Sequence, residues 1–123
     1  MTKSTERTKH LEQVYADAET DRKKLEEKYK GKVKVAVLTL NSEDEPCVVF
    51  FRTATTFTKM QCMDLAYQSY SKASATLFDA TVIREASDTR VFQQNDDNDA
   101  YYLGALEFCL NTIIVARDTL KKK

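Results

Sequence analysis

Two glycines, one proline, one histidine and no tryptophan are all that this 123-residue chain offers of those residue types. Gly31 and Gly104 lie far apart. A phosphate-cradling loop needs clustered glycines, so nucleotide binding through such a loop is excluded. His10 stands among Lys, Thr and Glu, with no cysteine or second histidine near it in sequence. Neither metal coordination nor a Ser–His or Cys–His catalytic arrangement is expected there. Charge of one sign is also missing: 19 basic and 19 acidic residues cancel. That argues against nucleic-acid binding driven by counterion release and against a basic membrane-surface protein. No apolar run approaches the roughly 18 residues of a membrane span. The opening Met1–Arg7 is polar and no apolar run follows it, so no signal peptide is expected. Cys47, Cys62 and Cys109 are odd in number and widely spaced. They are expected to be buried, reduced thiols of a cytoplasmic protein. No catalytic residue, cofactor or metal is expected, and the chain reads as something other than an enzyme.

What the chain does contain is patterned. Leu11, Val14, Tyr15, Ala18, Leu25 and Tyr29 recur at steps of three, four and seven, which places them on one helical face. A helix over 11–30 is expected, frayed over 1–10 and capped at its C-terminus by Gly31. Its stripe has two possible roles: docking on a partner or second copy, or packing on the chain's own hairpin. Val33, Val35 and Val37 alternate with Lys34 and Ala36, the mark of a strand with one face buried. A polar turn ending at Pro46 leads to the second strand, Cys47–Arg52, so 33–52 reads as an antiparallel hairpin. It needs helices to pack on, because a lone hairpin is marginal in water.

The remainder, 58–120, reads as helical. Thr58 and Gln61 fit a capping box, with Phe57 stapling forward onto Cys62. Ser69-Tyr70-Ser71 marks a break before a helix over about 72–85. A polar gap over 86–99 precedes the last helix, from about Asp97 to Leu120. Leu103, Leu106, Phe108, Leu110, Ile113, Ile114 and Val115 make it apolar on most sides, as a central buried helix would be. Acids at its start and Lys121–Lys123 at its end suit the helix dipole. The expected fold is α+β: one domain over 1–123 with a long N-terminal helix, one antiparallel hairpin and a C-terminal helical half.

Two acidic runs invite chemistry and do not sustain it. Asp96-Asp97-Asn98-Asp99 lacks the alternating ligands and glycine of a calcium loop and reads as helix capping. Glu43-Asp44-Glu45 sits at a hairpin tip, where a solvated turn is expected. Tyr101 and Tyr102, with Tyr67 and Tyr70, form a tyrosine group of a kind enriched at protein interfaces.

Leu25–Val33 entering the first strand, Val48–Thr53 ending a strand on a basic residue, and Leu77–Ile83 followed by Ser87–Val91 before a closing Leu-rich helix together resemble the small tail assembly chaperones of long-tailed phages. The likeness runs from about residue 22 to 118. It implies a non-enzymatic protein that binds the helical tape measure protein during tail assembly in the host cytoplasm, and that can self-associate into a homo-oligomer. The candidate partner-binding residues are Leu11, Val14, Tyr15, Leu25, Tyr101 and Tyr102. The alternative is another small structural or oligomeric interaction protein, of a virion or a bacterial cell.

Overall fold

A computed structural model describes residues 3–40 and 44–121, with the side chains of 5–40 and 44–113. Expectations resting on Glu43, on the side chains of Ile114, Val115 and Leu120, or on Lys121–Lys123 fall outside the described side chains. Helix α1 (Lys3–Tyr29) is followed by strands β1 (Val33–Leu38) and β2 (Cys47–Arg52). Helices α2 (Thr56–Ala66) and α3 (Tyr70–Thr81), a 3₁₀ turn (Thr89–Phe92) and helix α4 (Asp99–Lys121) complete the chain. The fold is α+β, as expected.

The strands pair antiparallel from Val33 opposite Arg52 to Leu38 opposite Cys47. Successive side chains of a strand point to opposite faces, and here both faces are covered. Cys47, Val49 and Phe51 with Ala36 join the main core, built against Ala66, Ala73, Leu77, Phe78, Tyr101, Ala105, Cys109 and Ile113. Val33 and Phe50 face the other way, toward Leu25 and Tyr29 of α1. The expectation of one buried face is therefore corrected. Ala36 is too small to be read as a packing residue, yet α4 lies close enough over β1 to bury it. Gly104 faces Leu38 here, and a Cβ built on it would lie 3.4 Å from Leu38 Cδ2, an ordinary packing contact, so the approach does not depend on glycine.

Helix α3 ends at Thr81, four residues short of the expected 85. The run Thr81-Val82-Ile83 is β-branched and favours extended backbone, and β2 has a free edge to offer it. Val82 bridges Phe51. The Ile83 amide donates to the Phe50 carbonyl at 2.8 Å, and the Asp88 amide donates to the Val48 carbonyl at 2.9 Å. Between them the Phe50 amide donates to Ser87 Oγ at 3.0 Å. Segment 82–88 thus covers an edge that would otherwise invite pairing with another chain.

Three helix ends also differ from expectation. Thr55, not Thr58, caps α2: its Oγ1 accepts from the Thr58 amide at 3.1 Å. At the end of α1 the left-handed residue is Lys30, with φ 54°. The Gly31 amide then donates back to the Glu26 carbonyl at 3.3 Å, the long bond of a Schellman motif. Helix α1 begins at Lys3, ahead of the expected 11. Its first turns are fastened to the hairpin tip: Arg7 Nη2 donates to the Asp44 carbonyl at 2.8 Å, and His10 Nε2 lies 2.9 Å from both Glu45 carboxylate oxygens. Asp44 and Glu45 are thus exposed, as expected of a solvated turn, and also tether α1. Helix α4 buries a single stripe through Tyr101, Ala105, Cys109 and Ile113. Leu103 on its far side is 60% exposed, so the helix is not buried all round.

Candidate functional site

The outer face of α2 carries the densest exposed apolar surface among the described residues. Because Thr55 is the cap, Phe57 falls inside the first turn and points outward instead of stapling onto Cys62. Met60 follows three residues later and Tyr67 seven after that, spacings that return to one helical face. Phe57 is 69%, Met60 59% and Tyr67 67% exposed. The opposite face of the same helix buries Cys62 and Ala66. Tyr70, at the start of α3, is exposed just beyond. A rigid scaffold thus holds a Phe, a Met and a Tyr in water, where each costs free energy unless something covers it.

The six residues expected to bind a partner are scattered. Leu25 packs into the core between α1 and the hairpin. Val14 is half-buried and faces Val48 across a cleft of about 320 Å³ between α1 and β2. Leu11 is half-buried and Tyr15 is 54% exposed. Tyr102 stands edge-on to Phe78, with ring centres 5.3 Å apart. Tyr101 is only 4% exposed. The stripe of α1 therefore serves the hairpin along its C-terminal half, and the two tyrosines of α4 serve the core. No family model, curated protein or solved structure matches the chain.

The polar residues cluster elsewhere, in a clamp beside the hairpin tip. Asp88 caps the 3₁₀ turn, its Oδ1 accepting from the Arg90 amide at 3.0 Å. Arg90 Nε and Nη2 donate to the same carboxylate at 3.1 and 2.8 Å. Nη2 also reaches the Glu45 and Pro46 carbonyls at 2.8 and 3.2 Å, and Nη1 the Tyr101 hydroxyl at 3.1 Å. That hydroxyl in turn donates to Asp44 Oδ2 at 3.1 Å. Burial alone would raise the Asp88 carboxyl, but the bonds from Arg90 outweigh it and hold the group below the usual carboxylate range. Burial and the neighbouring Asp44 push the Tyr101 phenol upward. Arg90 thus commits Nε to Asp88, Nη2 to Asp88 and the tip carbonyls, and Nη1 to Tyr101, so the cluster reads as architecture rather than chemistry.

The cysteines are equally committed. All three are free and buried, and burial pushes the thiols of Cys47 and Cys109 up to about 12. A nucleophilic cysteine needs the opposite shift. Among the described residues no group of three His, Cys, Asp or Glu side chains could hold a metal ion, and no helix is long and apolar enough to cross a membrane. Of the Asp96–Asp99 run only Asp99 lies within α4, in its first turn. Asp96–Asn98 form the turn before it, closed by Asn95 Oδ1 accepting from the Asn98 amide at 3.0 Å. The sequence pattern hides the α2 face because a cap at Thr58 turns Phe57 inward as a staple on Cys62. The signal was present: three large apolar residues at helical spacing on the side opposite Cys62 and Ala66.

Proposed function

We propose that this chain is a non-catalytic protein-binding module that covers an apolar helix of a partner with the outer face of α2. The observation that carries the reading is the exposure of Phe57 and Met60 on one face of α2, with Tyr67 exposed at its C-cap. Aromatic residues and Met are enriched at protein interfaces. Met adapts its shape to irregular partners, and a helix face read at steps of three and seven fits another amphipathic helix. Size favours a transient complex. Three side chains of at most about 150–250 Å² each, all partly covered by their own helix, make a face smaller than the ~800 Å² per partner of a standard stable interface. A permanent homodimer through this face alone is disfavoured on the same ground.

The resemblance of Leu25–Val33, Val48–Thr53 and Ser87–Val91 to tail assembly chaperones supplies the finer reading. The partner is then a tape measure-like helical protein, held in the host cytoplasm until the tail forms and then released. Weak, area-limited binding suits a carrier that must let go. The test is co-expression with a long, apolar, helical tape measure protein. The chain is expected to raise the soluble fraction of that protein, and Phe57→Ser with Met60→Ser is expected to remove the effect while leaving the fold intact. A soluble fraction unchanged by the chain would overturn the reading.

A further inference from the structure

A second recognition feature lies where the open end of the hairpin meets α2 and α4. A small cleft of about 80 Å³ has an apolar floor that includes Phe51, Leu77 and Phe108, with the rings of Phe51 and Phe108 stacked at 5.0 Å. Lys34, Arg52 and Lys59 also line it, and none of its lining residues is acidic. Each cation arrives from a different element: Lys34 from β1, Arg52 from the end of β2, Lys59 from the first turns of α2. Strand alternation sends Lys34 to the same face as Ala36, where the hairpin meets the helices. Among the described residues none of the three is in an ion pair. Arg52 contributes its stem only: alternation turns it to the opposite face, with Val33 and Phe50, where its guanidinium lies over the Tyr29 ring at 4.7 Å. The charges that face the cleft are therefore those of Lys34 and Lys59. In a chain of zero net charge this is a local concentration of uncompensated positive charge around an apolar floor.

We propose that this cleft takes a bulky apolar side chain of a protein partner whose neighbouring residues are acidic. Charge complementarity selects the anionic segment: two lysines approached by carboxylates gain what they lack, whereas a basic segment is repelled. Volume selects a protein side chain over a free small molecule. Ligand pockets run to about 300–1,000 Å³, so this cleft cannot bury enough of an independent ligand to hold it. One Phe or Leu anchored by a larger interface fits. The inference rests on the protein-binding reading and adds to it a polarity: the α2 face supplies apolar area, and the cleft specifies an acidic–apolar motif.

The test uses the full chain labelled with ¹⁵N and two blocked pentapeptides, Glu-Phe-Glu-Leu-Asp and its basic twin Lys-Phe-Lys-Leu-Lys. The acidic peptide is expected to move the amide signals of Thr53, Ala54 and Thr112 saturably, and the basic twin to leave them still. Removing one rim charge by Lys59→Gln or Lys34→Gln should weaken binding up to about fivefold each, the scale of an exposed ion pair. Raising salt from about 0.1 to about 1 M, which shortens screening from about 10 to about 3 Å, should weaken it further. No response at the cleft, or equal responses to both peptides, would overturn the inference. Signals that move only on the Phe57–Tyr67 face would overturn it too, while leaving the α2 reading standing. Conversely, a cleft that responds in a chain with no effect on partner solubility would remove the α2 reading and leave this one.

Discussion

Arg90 holds Tyr101 in two ways: Nη1 donates to the hydroxyl at 3.1 Å, and the guanidinium carbon lies 4.6 Å from the ring centre. Through this pair the 3₁₀ turn grips α4, and through the Glu45 and Pro46 carbonyls it grips the hairpin tip. Arg90→Met should cost about 2–3 kcal/mol, since it strips a charged donor from a carboxylate and two carbonyls. Arg90→Lys should recover little, because an ammonium can neither fork nor stack as a guanidinium does. Tyr101→Phe, which removes only the hydroxyl, should cost about 1 kcal/mol. Urea unfolding of the three variants measures the series.

The same clamp should show in the acid limb of stability. The folded Asp88 carboxyl titrates below its unfolded counterpart. Its contribution is therefore present above the unfolded pKa and is lost as pH falls through the folded one. Asp88→Asn should lower the melting temperature near pH 7 and narrow the gap to wild type toward about pH 3, where ordinary carboxylates are mostly protonated. Thermal melts across that range check it. Parallel curves at all pH values would show that Asp88 acts without its charge.

Lys30 occupies left-handed backbone that costs a non-glycine residue about 1–2 kcal/mol, against an entropic cost of about 0.5–1 kcal/mol for glycine. Lys30→Gly should therefore stabilise by about 0.5–1 kcal/mol. Denaturant midpoints at unchanged slope would establish it.

Helix α4 should tolerate change by face. Ile113 is buried, and Ile113→Ala should cost about 2–5 kcal/mol. Leu103 is exposed, and Leu103→Ser should stay within about 0.5 kcal/mol. Calorimetric melting of both variants separates a one-faced helix from a centrally buried one.

The elements whose signal is local were legible in the sequence. The valine alternation locates β1, the break at Ser69 locates the α2–α3 junction, and the stripe of α1 puts Leu25 and Tyr29 on one face while leaving open what that face packs on. The features set by distant partners were not. Thr55 and Thr58 are equally able caps, and the choice between them depends on where the chain leaves β2. Val82 and Ile83 carry helical spacing, but the free edge of β2 claims them as extended backbone. The clamp joins Asp44 to Tyr101 across 57 residues, and Asp88-Thr89-Arg90 reads in isolation as a polar gap. The α2 face is visible as spacing, but a cap placed at Thr58 turns Phe57 inward onto Cys62 and conceals it. The cationic cleft is assembled from three separate elements and leaves no mark on any one of them.

Binding of a partner by the α2 face decides what this protein does. The most direct measurement is the affinity of the full chain for a helical tape measure fragment, compared with that of Phe57→Ser/Met60→Ser/Tyr67→Ser. The account predicts a loss of at least about tenfold for the triple variant, as removal of an interface's anchor residues gives, with an unchanged melting temperature. Equal affinity of the two proteins, or a loss produced instead by Leu11→Asp/Val14→Asp with the α2 variant unaffected, would contradict it.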